Sequence, residues 1–93
     1  MQTLTSLSDK TQFISFPNQS SKEINSKMLM FAMIRDSNHL LVQAGFVNEG
    51  VISSLSIIDT TPTTTYITAS YSNGVTTLTN TSYMNCHLYI SYE

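Results

Sequence analysis

A chain of 93 residues is predicted to form one domain, and with Cys86 as its only cysteine it can close no internal disulfide and build no cysteine-based zinc knuckle. Four basic against six acidic residues give a formal net charge of −2, with no basic stripe to grip a phosphate backbone or an anionic membrane surface. No apolar run reaches the ~18 residues of a membrane span, and the first ten residues lack the basic-then-apolar pattern of a secretory signal, which predicts synthesis in a cytoplasm.

In chain order, residues 3–7 form a weakly patterned extended stretch around Leu4 and Leu7. Residues 12–16 carry Phe13, Ile14 and Phe16 up to Pro17, which holds Phe16 extended and blocks pairing in a central strand. The polar stretch 17–26 reads as a loop with at most one helical turn at residues 21–24. Residues 27–35, Lys-Met-Leu-Met-Phe-Ala-Met-Ile-Arg, set seven apolar side chains between two charges. Met, Leu and Ala favour helix. The run is short, however, and Asp36-Ser37-Asn38 turns the chain at once, so a strand buried on both faces is predicted, paired as a hairpin with residues 39–44.

Phe46 and Val47 lead into a turn at Asn48-Glu49-Gly50, and residues 51–58 form a β-branched strand. A loop centred on Pro62 follows. Residues 64–72 alternate, with Thr65, Ile67, Ala69 and Tyr71 on one face and Tyr66, Thr68 and Ser70 on the other. Asn73-Gly74 is the preferred pair for a two-residue type I′ hairpin, and residues 75–79 return from it. After a loop at residues 80–85, the last strand directs Cys86, Leu88, Ile90 and Tyr92 one way and His87, Tyr89 and Ser91 the other. The period-2 pattern predicts an all-β domain, a small antiparallel β-sandwich or jelly roll of seven to eight short strands. Residues 1–26 are its lead-in and residues 27–93 its core.

The run 28–34 is apolar on both faces, whereas a two-layer sandwich strand buries one. The surplus needs a loop of the chain or another subunit. The short polar loops favour a homo-oligomer over a monomer covered internally. Leu29, Phe31, Met33, Tyr66 and Tyr89 are the expected interface residues. Tyr83, in a loop with Asn80, Ser82 and Asn85, is the best exposed contact residue, because a tyrosine offers a flat apolar plate with a hydroxyl at its rim.

Catalytic chemistry is not legible. His39 and His87 are the only histidines, and Asp36 lies in the turn beside His39. The other acids occupy turns and ends, and serines are too frequent to define a triad. No metal site, cofactor motif or phosphate-binding glycine loop is present in the sequence, so none is expected. Cys86 reads as a small buried hydrophobe. Asn18-Gln-Ser20 and Asn80-Thr-Ser82 match the glycosylation acceptor pattern, a coincidence expected in a chain this rich in Asn, Ser and Thr.

Three stretches resemble the small C-terminal head domains of bacteriophage tail and head fibres: the strand at residues 27–35, the hairpin Ser-Asn-Gly-Val-Thr-Thr-Leu-Thr at 72–79, and the closing strand Asn-Cys-His-Leu-Tyr-Ile-Ser-Tyr-Glu at 85–93. The resemblance implies a non-enzymatic virion component, homotrimeric, that contacts host-surface carbohydrate. A structural or capsid decoration protein that docks on other virion proteins without a small ligand is the alternative. Fibre receptor-binding proteins carry a shaft or anchor, for which 93 residues leave no room, so the chain is either a fragment or a stand-alone component.

Overall fold

A computed structural model describes residues 11–57 and 66–92, and within them every regular element is a β-strand. The strands are β1 (Thr11–Phe16), β2 (Ser21–Ile24), β3 (Met28–Arg35), β4 (Leu41–Asn48), β5 (Val51–Ile57), β6 (Ile67–Ser72), β7 (Val75–Asn80) and β8 (Cys86–Tyr92). They form a five-stranded sheet ordered β1-β8-β3-β4-β5 and a three-stranded sheet ordered β2-β7-β6, antiparallel throughout. The expected strand at residues 3–7 and the loop around Pro62 lie outside the described residues.

The core lies between the sheets, as a β-sandwich requires. The five-stranded sheet contributes Phe16, Leu29, Phe31, Met33, Val42, Val47, Cys86, Leu88 and Ile90, and the smaller one Ile24, Ile67 and Leu78. The period-2 reading of β8 holds residue by residue: Cys86, Leu88 and Ile90 are buried, and His87, Tyr89 and Ser91 face out.

Residues 21–24 correct the sequence reading, because they form β2 rather than a loop or helical turn. An edge strand of a three-stranded sheet buries little. Ile24 alone enters the core here, and the Ser21 and Thr79 hydroxyls bond at 2.8 Å across the β2–β7 pair. So polar a strand carries no hydrophobic pattern from which to call it. β4 is a second correction, since it continues through Phe46 to Asn48 as one strand. Gly45 makes this continuity feasible. A Cβ there would lie 2.3 Å from the Ser53 carbonyl oxygen, so only glycine lets β5 approach at the bulge.

Two hairpins turn tightly. Glu49-Gly50 has φ of 50° and 81°, and Asn73-Gly74 has 51° and 82°, the paired positive φ of type I′. A further irregularity at Met33/Ile34 turns Val42 and Gln43 inward together. Buried Gln43 then donates to Ser54 Oγ at 2.9 Å and accepts from the Tyr66 amide at 3.3 Å, which ties the start of β6 to the larger sheet.

Candidate interaction face

The surplus apolar surface expected of β3 exists, but on the opposite side from the one expected. Leu29, Phe31 and Met33 are at most 4% exposed and fill the chain's own core. Tyr66 is buried as well, and of the five expected interface residues Tyr89 alone lies on an open face. The parity of β3 relative to the core decides this, and an all-apolar run conceals its own parity. The uncovered set is Met28, Met30, Ala32 and Ile34.

Register places these beside other outward residues. Met30 pairs with Phe46 on β4 and Ser91 on β8. Ala32 pairs with Ala44 and Tyr89, and Tyr89 in turn with Phe13 on β1. Ile34 pairs with Leu41 and His87. Phe13 is 54% exposed, Met30 49%, Tyr89 45% and Phe46 44%. The Phe13 ring lies 4.2 Å from that of Tyr89 and stacks at 4.8 Å on His87, so β1 and β8 carry an aromatic ridge. Where β3, β4 and β8 end together, an apolar groove of about 580 Å³ opens between Met28, Met30, Phe46 and Tyr92, with Lys27 on its rim.

At the opposite end of this face, Asp36 meets His87, not its sequence neighbour His39: Oδ1 lies 2.6 Å from Nδ1. Both are partly exposed, and such a pair contributes at most about 1 kcal/mol. Only the β3–β8 register brings these two residues together, and no local pattern announces it. A carboxylate that orients an imidazole is half of a catalytic arrangement, the other half being a nucleophile at the second ring nitrogen. Among the described residues no hydroxyl or thiol bonds that nitrogen, and no group of three or more His, Cys, Asp or Glu is placed to hold a metal.

The expected ligand loop divides into two roles. Tyr83 is exposed, and with Asn85, Arg35, Asp36 and Ser37 it borders a shallow cavity of about 440 Å³. Asn80 and Ser82 are buried and bind the chain itself. Asn80 Nδ2 donates to the Phe16 and Met84 carbonyls at 2.8 and 3.0 Å, and its Oδ1 accepts from the Ser82 amide and hydroxyl at 2.9 and 2.6 Å. They are corrected from ligand contacts to a structural network. The engaged, buried amide also leaves no room for a glycan on Asn80.

Cys86 is fully buried, and its thiol pKa is raised above the usual range, first by desolvation and then by the Asp36 charge, with Arg35 opposing. A raised thiol pKa means that the folded chain holds this proton more tightly than the unfolded chain. Its stabilising contribution is therefore complete below the ordinary thiol pKa and is lost as pH rises through the higher folded value. The native protein is expected to resist a thiol-disulfide reagent at pH 8 and to react with one equivalent on unfolding in urea. Rapid native labelling would contradict this burial.

Compared with family models, curated proteins and solved structures, the chain matches none.

Proposed function

We propose that this chain is a non-enzymatic virion module of the fibre-head or capsid-decoration kind, acting as a homo-oligomer joined through the outer face of its five-stranded sheet. One observation supports the self-association in this reading, while the virion role rests on the sequence resemblance alone: Phe13, Met28, Met30, Leu41, Phe46 and Tyr89 share one sheet face and all remain exposed. Soluble monomers rarely leave a contiguous apolar patch beyond a few hundred Å² uncovered. Burial of each large apolar side chain is worth about 1.5–3 kcal/mol, so a few of them suffice for specific association.

Light scattering and sedimentation test this. The wild-type chain is expected to run above its 10.4 kDa monomer mass at micromolar concentration. Met30→Asp is expected to raise the dissociation constant by roughly 100-fold or more, because it removes apolar contact and buries a charge. A wild-type chain that stays monomeric at millimolar concentration overturns the proposal.

A second reading, contact with host-surface carbohydrate, is favoured by the cavity that exposed Tyr83 shares with Asn85, Asp36 and Arg35. The tyrosine plate would stack on a sugar face while the polar groups bond its hydroxyls. On a glycan array, Tyr83→Ala is expected to abolish binding and leave the particle mass unchanged. Absence of glycan binding by the wild-type particle leaves assembly alone as the function.

A further inference from the structure

The outer face is uneven, and its heights follow a rule. Across the row through the sheet centre, β1 and β8 carry large Phe13 and Tyr89, while β3 and β4 carry small Ala32 and Ala44. In the next row the order reverses: β1 and β8 carry small Thr11 and Ser91, and β3 and β4 carry large Met30 and Phe46. On the other side of the centre, Ser15 and His87 stand in line with Ile34 and Leu41. Ridge and trough thus exchange places at the boundary between β8 and β3.

A two-fold axis parallel to the strands, lying on that boundary, superposes each half of one face on the other half of its mate and preserves the rows. Tyr89 then meets the mate's Ala32, Phe13 meets Ala44, Ser91 meets Met30 and Thr11 meets Phe46. These four contacts each set a large side chain against a small one, which is how two packed layers interdigitate, whereas in the third row Ser15 meets Leu41 but His87 meets Ile34, large against large. The match is best beside the axis and loosens outward, because packed sheets cross at about 30°. About this axis four strands of each sheet overlap, β1, β8, β3 and β4, and at ~4.8 Å spacing and about seven residues of ~3.4 Å they give roughly 450 Å² in plan, which the corrugation of the surface raises. That is a small interface beside the ~800 Å² that a standard specific one takes from each partner.

The geometry points to a two-fold dimer of this chain, the outer faces of its five-stranded sheets packed together about an axis between β8 and β3. This dimer rests on the assembly reading above and narrows it, with two copies where the fibre-head resemblance implies three. The surface is isologous, so it is used up when the pair closes.

Sedimentation equilibrium on the full chain is expected to give twice the 10.4 kDa chain mass. Ala32→Tyr drives a second large ring against Tyr89 on each side of the axis, and is expected to weaken the dimer by about 100-fold. Tyr89→Ala opens two gaps and is expected to weaken it by about tenfold or more. An equimolar mixture of the two variants restores large-against-small contact at both sites, as native Tyr89 on Ala32 at one and with the introduced ring filling the gap left by Tyr89 at the other, and should associate more tightly than either variant alone. Ser91→Trp, which faces the mate's Met30, is an independent disrupting variant should Ala32→Tyr lose its β-sheet circular dichroism. A wild-type mass of three chains overturns the two-fold pairing while leaving self-association standing, whereas a monomer overturns both. Folded variants that gain nothing on mixing overturn the pairing of Tyr89 with Ala32.

Discussion

Asn80→Ala is expected to lower the unfolding free energy by about 3–5 kcal/mol, measured as a shift in the urea midpoint followed by circular dichroism. The side chain is fully buried and makes four bonds, two as donor and two as acceptor. Its removal takes the side-chain donor from the Phe16 carbonyl and the acceptor from the Ser82 amide. Met84 O and Ser82 Oγ retain each other at 3.3 Å. Each buried polar group left unsatisfied costs about 1–3 kcal/mol, and the cavity adds to that. The total is a large part of the 5–15 kcal/mol typical of a domain. Asn80→Asp keeps the acceptor but loses the donor and buries a charge, so it should be no milder than alanine. A loss below about 1 kcal/mol would show that the network linking the end of β1 to the β7–β8 loop is not needed for folding.

The second large effect separates the two faces of β3. Phe31→Ala is expected to cost about 3–5 kcal/mol of chain stability, because it empties a site between the sheets. Met30→Ala, one residue away on the outer face, is expected to change the stability of the dissociated chain by less than about 1 kcal/mol and to weaken self-association instead. Denaturation at low concentration, paired with sedimentation at high concentration, reads the two quantities separately. Equal stability losses for both variants would contradict the assignment of core and outer faces.

The carbohydrate reading makes a different demand on the molecule. Its groups lie at the end of the sandwich, on the loop before β8 and the turn after β3, away from the alanine-floored centre of the outer face. Assembly and ligand contact would then use separate surfaces, so variants at Tyr83 and at Ala32 are expected to act independently.

Where side chains alternate in kind, the sequence by itself was enough. The buried and exposed sets of β8, the hairpin at Asn73-Gly74, the turn at Glu49-Gly50 and the all-β class follow from a period of two and from residues that tolerate positive φ. It also carried the surplus of apolar surface on β3, since seven apolar residues in a row exceed what one buried face can take. It could not orient that surplus, because a run with no polar residue has no marked side, and it is the fold that places Leu29, Phe31 and Met33 in the core and leaves Met28 and Met30 exposed. β2 stayed hidden because a polar edge strand is defined by its hydrogen-bonding neighbour. Only tertiary register joined Asp36 to His87, drew Asn80 and Ser82 inside, and aligned tall and short side chains across four strands. These are relations between residues far apart in the chain, fixed by which strands pair and in what phase.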